Sequence, residues 1–98
     1  MIPIIFDKSC LCWNKGMDYN LMLVIHLIDH YKKVYGLHCL NDIYDDLGIT
    51  RIKSGFDFVW DGPIEMTYET HGDIWFQDHI VINIVTEPMK EGKNENED

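Results

Sequence analysis

Apolar and polar positions along the chain change period once, near Thr50, and that change divides the expected elements into two groups. Before it, Ile2 to Phe6 is a short β-prone run with Pro3 near its start, which predicts an edge strand. Asp7 to Gly16 reads as an irregular loop carrying Cys10, Cys12 and Trp13. From Asp18 to Tyr35 the residues Leu21, Leu23, Val24, Leu27, Ile28, Tyr31, Val34 and Tyr35 fall in one broad sector of a helix, with Asp18, His26, Asp29, His30, Lys32 and Lys33 opposite. This predicts a long amphipathic helix with a wide buried face, capped by Asp18 or a neighbour and stopped at Gly36. Tyr19 and Met22 lie inside its polar sector and read as isolated exposed apolar groups or the start of a contact surface. A second, short helix is expected from Asp42 to Leu47, with Asn41 as its N-cap, Ile43 and Leu47 on one face, and Gly48 in the left-handed position that ends it.

After Thr50 the pattern alternates. Phe56, Phe58 and Trp60 interleave with Asp57, Val59 and Asp61, and Asp61-Gly62-Pro63 breaks the run. Ile64, Met66 and Tyr68 alternate with Glu65, Thr67 and Glu69 before a turn at His71-Gly72-Asp73. His79 to Val85 is the richest β segment, and Ile74 to Gln77 forms either its near half or a strand of its own. The expected fold is α+β: one long and one short helix packed on an antiparallel meander of three or four strands. Ninety-eight residues is the length of one domain, placed at 1–86, followed by an acidic tail at 87–98 that reads as disordered.

Charge narrows the partner classes. The chain carries 17 acidic and 8 basic residues, a net charge of −9. A surface of that sign repels phosphate backbones, so direct nucleic-acid binding is not expected, while basic protein surfaces suit it. Glu87, Glu91, Glu95, Glu97 and Asp98, against Lys90 and Lys93, place a third of the net charge on the tail. No apolar segment approaches the roughly 20 residues of a membrane span, and no secretion signal precedes the three cysteines. A cytoplasmic protein with free thiols is the expectation.

Each candidate chemistry has a plainer counterpart. Cys10, Cys12, His38 and Cys39 are ligand types that zinc uses. Structural zinc sites prefer two to four residues between paired cysteines, and adjacent His38 and Cys39 tend to point apart, so free thiols are the simpler reading. His26 and His30 stand one helical turn apart beside Asp29, which resembles the inverted zinc-peptidase pattern with aspartate for glutamate, but a solvated helix face explains the three together. His71, Asp73, Asp78 and His79 flank a β segment, where turn chemistry already accounts for Gly72-Asp73. Neither a Gly-rich phosphate loop nor a nucleophile elbow nor a redox cysteine pair occurs, so an enzyme is not expected and no cofactor is implied. Asp42, Asp45, Asp46, Asp57 and Asp61 cluster in sequence and, with Trp60, form the candidate partner-binding surface, an acidic patch able to imitate a run of phosphates.

The segment Leu40-Asn41-Asp42-Ile43-Tyr44-Asp45-Asp46-Leu47-Gly48-Ile49 resembles one found in small uncharacterised proteins of bacteriophages and mobile elements of Gram-positive bacteria. In these, a short helix ending in Leu-Gly is followed by basic residues, a glycine, a tryptophan and a β-hairpin. Arg51, Lys53, Gly55 and Trp60 stand at matching places, and Ile80 to Ile84 is similar to the closing strand. Thr50, Ile52 and Val59 depart from the usual proline, threonine and glycine. The resemblance spans about residues 38 to 85 and implies a phage or mobile-element origin, hence a host bacterial cytoplasm. Together these readings describe a small accessory protein that binds a host protein and inhibits a defence or nucleic-acid-handling factor. The alternatives are a metal- or small-molecule-binding homo-oligomer and a structural component of a phage particle.

Overall fold

A computed structural model of the chain describes residues 1–72 and 78–89. The strand expected at Ile74 to Gln77, Asp73, and the tail from residue 90 onward lie outside the described residues. The protein is α+β, with strand β1 (Ile2–Phe6), helix α1 (Met17–Lys32), strand β2 (Leu37–Cys39), helix α2 (Leu40–Leu47), a 3-10 turn (Lys53–Phe56), and strands β3 (Val59–Asp61), β4 (Met66–His71) and β5 (His79–Ile84).

Among the described residues the strands form two antiparallel sheets rather than one meander. A three-stranded sheet has the order β1-β5-β4, and β2 pairs with β3 in a separate two-stranded sheet. β5 holds the centre of the larger sheet because it is the most apolar segment. Its Ile80, Ile82 and Ile84 are fully buried and alternate with half-buried neighbours. The register places Phe6 beside Ile80, Ile4 beside Ile82, and Ile2 and Met66 on either side of Ile84. One sheet face therefore carries the fully buried apolar side chains, while Pro3, Ile5 and Val81 fall on the other.

β3 leaves the expected meander at the Asp61-Gly62-Pro63 break. Gly62 N–H donates to Gly36 O at 2.9 Å, and Ile64 N–H donates to Tyr31 O at 2.8 Å, so the chain is drawn across to the end of α1 before β4 begins. The alternation expected from Phe56 is also cut short. Phe56 ends the 3-10 turn and is 54% exposed, and regular pairing starts only at Val59. Trp60 enters the core at 1% exposure and donates its indole N–H to Thr86 O at 2.8 Å.

α1 differs from the expected helix in width and length. Its buried stripe is Asn20, Val24, Leu27 and Tyr31, one narrow line at helical spacing, while Leu21, Leu23 and Ile28 are only half-buried. It ends at Lys32, and Tyr35 lies beyond it at 90% exposure. The residue preceding it is Gly16, in extended conformation, and Asp18 sits in the first turn, where its charge suits the positive helix end. α2 starts two residues before the expected position, with Cys39 as its N-cap. Asp42 Oδ2 accepts the Cys39 N–H at 2.8 Å, which is one half of a capping box. Gly48 ends it in the left-handed region as expected, and Ile49 N–H folds back to Tyr44 O. The core lies between the apolar sheet face, the α1 stripe, and Leu40, Ile43 and Leu47 of α2, with Trp60 and Ile64 completing it. Past β5 the chain stays bound to this body, with Val85 N–H donating to Glu65 O and Met89 N–H to Val59 O, both at 2.8 Å.

Candidate functional site

The acidic side chains that cluster in sequence are distributed by the fold into different environments. Asp42 is committed to the α2 N-terminus, and His38 Nδ1 lies 4.0 Å from the same carboxylate oxygen, Oδ2. Asp45 receives Arg51 in a two-pronged contact, Nε at 2.9 Å and Nη2 at 2.6 Å, and this guanidinium holds its carboxyl below the usual carboxylate range. Arg51 in turn lies over the Phe56 ring at 5.7 Å. Asp46 Oδ2 accepts the Tyr31 hydroxyl at 2.5 Å, joining α2 to α1. Asp57 and Asp61 are exposed. Asp61 closes the β2–β3 ladder opposite Leu37. Trp60, included in the expected partner-binding surface, is instead a core residue at 1% exposure whose one donor is satisfied by Thr86 O. A continuous array of phosphate-like charges is not what α2 presents, since Asp42, Asp45 and Asp46 each spend a carboxylate on a bond within the fold.

The four candidate zinc ligands are likewise spread out. Cys10 is buried, with its Sγ 3.8 Å from Ile5 O. Cys12 is exposed, Cys39 is half-buried, and His38 Nε2 lies 3.1 Å from Tyr35 O. Among the described residues no group of three or more His, Cys, Asp or Glu side chains is placed to hold a metal ion. His71 and His79, paired across β4 and β5, stack at 5.1 Å, and His71 Nε2 is 3.2 Å from Glu69 Oε1. Asp78 is exposed beside them.

What the fold does bring together is a groove of about 340 Å3 between the helices, lined by Leu23, His26, Leu27, His30 and Asp46. Leu27 is buried and Leu23 half-buried, so the floor is apolar; His26, His30 and Asp46 are exposed and form the rim. Behind the rim stands Tyr31, 2% exposed. Burial, then the bond to Asp46, then the charges of Asp46 and Asp42 push its phenol far above the ordinary tyrosine range. At neutral pH it therefore donates its proton to Asp46. The His30 ring meets Tyr31 edge-on at 4.9 Å, and His38 does so at 5.7 Å. His26 and His30, read from sequence as a solvated face, thus border a recess.

The Tyr31–Asp46 contact was not expected from sequence, although a signal for it exists. Tyr31 lies on the inward stripe of α1, and Asp46 follows Ile43 by three positions, on the flank of the buried face of α2. Nor do Leu23 and Leu27 stand out in sequence as groove residues, because both read as core.

Comparison with models of known families, with curated proteins and with solved structures finds no match.

Proposed function

We propose that this chain is a small binding protein that acts by docking another protein against α1, and that it serves as an accessory factor of phage or mobile-element origin directed at a host protein. The observation that carries this reading is the state of α1. A helix buried along only one line normally turns charged groups to solvent, yet here Tyr19, Met22 and Ile25 are 67%, 56% and 48% exposed, beside an open groove floored by Leu23 and Leu27. Exposed aromatic and methionine side chains next to a recess are the usual anchors of protein interfaces. The net charge of −9 favours a basic partner and disfavours nucleic acid. The resemblance of residues 38–85 to phage proteins supports the origin, and a defence or nucleic-acid-handling factor is the host target class that such basic surfaces mark.

The test is capture from a Gram-positive bacterial lysate with the full chain immobilised, alongside a folded Met22→Glu variant. A partner retained by the native chain, released by salt and absent from the variant supports the reading. Equal recovery by both places the contact elsewhere, and no recovery at low salt counts against protein binding altogether.

A further inference from the structure

The groove between α1 and α2 has features that define the chemistry of its occupant. We infer that it is a subsite for an arginine side chain of the partner, an inference that rests on the binding reading above and specifies the chemistry it requires. The floor of Leu23 and Leu27 is apolar and suits the methylene stem of a long side chain. At the rim, the Tyr31 hydroxyl fixes Asp46 through Oδ2 at 2.5 Å, leaving the other carboxylate oxygen open to a donor. The carboxylate is thus oriented before any ligand arrives, which lowers the ordering cost of binding.

The local field is negative. The Asp46 carboxylate stands at the rim, with Asp42 one turn back on the same helix. Of the nearby bases, Lys33 pairs with Asp29 at 3.3 Å and Arg51 with Asp45, while Lys32 lines a different recess with Pro63, Ile64, Glu65 and Thr86. A cation is what this field attracts. The other rim is formed by His26 and His30, two planar imidazoles one helical turn apart. A planar guanidinium stacks on such rings and bonds a carboxylate edge-on, whereas an ammonium uses neither geometry, so arginine fits better than lysine.

The experiment is a titration of the isotopically labelled full chain with N-acetyl-arginine methylamide, followed by NMR. The expected result is saturable shifts in the Leu23 and Leu27 methyl signals and the His26 and His30 ring signals. N-acetyl-citrulline methylamide has nearly the same shape and no charge, and it is expected to bind at least tenfold more weakly. Asp46→Asn keeps an acceptor for the Tyr31 hydroxyl and removes the charge, and its affinity for the arginine probe is expected to fall by a similar factor. Equal binding of arginine and citrulline by the native chain overturns the inference without recourse to any variant. So do shifts that avoid these four residues, or an Asp46→Asn protein with undiminished affinity. Such a result leaves lysate capture free to succeed through Tyr19, Met22 and Ile25, so failure here and failure of the binding reading are distinguishable.

Discussion

Two buried asparagines, Asn20 and Asn41, solve the same problem in two places. Asn20 accepts the Asn14 N–H at 2.7 Å and donates to Asn14 O at 2.8 Å; Asn41 accepts the Ile52 N–H at 3.1 Å and donates to Ile52 O at 2.8 Å. Each side-chain amide copies a strand neighbour for one loop residue, and each is essentially inaccessible to solvent. Replacing Asn41 with leucine keeps the volume but leaves the Ile52 N–H without its acceptor and Ile52 O with only the Gly55 N–H, so a loss of about 1–3 kcal/mol is expected in urea unfolding. Asn20→Leu should show a comparable loss through Asn14. Tyr31 gives a second prediction. Its phenol titrates higher in the folded than in the unfolded chain, so the folded state holds its proton longer. The associated stability is complete below about pH 10, the ordinary tyrosine value, and declines as pH rises beyond it. Tyr31→Phe should flatten that alkaline decline relative to the native chain, measured as the urea midpoint from pH 8 to 11. An unchanged slope would show that Tyr31 does not govern it.

At the scale of elements, what could be read from the sequence was whatever repeats over several residues. Ile80, Ile82 and Ile84 announce a buried strand by simple alternation, and Gly48 announces a helix end by its place after Leu47. β2 could not be read, because Leu37–Cys39 is three residues long with a histidine at its centre, too short for any period. Its existence depends on β3 arriving from elsewhere in the chain, and that non-local pairing is what removed β3 from the expected meander. Asn41 was legible as a helix-start residue but not as the Ile52 clip, since capping preference is local and burial is not. The groove was illegible for the same reason: its lining comes from two helices whose packing no single segment encodes. Gly48 and Gly36 allow the local and non-local contributions to be separated. Both have positive φ, 71° and 81°, but a Cβ at Gly48 would lie 2.6 Å from Cys12 N and 2.8 Å from the Leu11 Cβ, while nothing lies within 4 Å at Gly36. Gly36→Ala should therefore cost only the backbone term, about 1 kcal/mol. Gly48→Ala should cost clearly more, because the loop that also bonds Leu11 N–H to Gly48 O must be displaced. Thermal unfolding of the pair measures the difference, and equal losses would show that the loop yields freely.

For the whole molecule, the proposed reading puts recognition on the opposite side of α1 from the line that stabilises the fold, and substitutions can separate the two. The inward line of α1, with Val24 fully buried, faces the sheet, whereas Tyr19 and Met22 point to solvent. Charge placed at an exposed site away from special contacts usually changes stability by no more than about 0.5 kcal/mol. A double variant, Tyr19→Glu with Met22→Glu, should accordingly unfold at the native urea midpoint while losing the captured partner. Val24→Glu should unfold the protein outright, because an unpaired carboxylate in the core has no compensating partner. Added acid on an already acidic protein strengthens its general attraction for basic surfaces. Charge attraction alone therefore predicts capture by the double variant that equals or exceeds the native level. Loss of capture at an unchanged unfolding midpoint would place the binding energy in apolar contact along α1, with the net charge acting mainly on the rate of encounter.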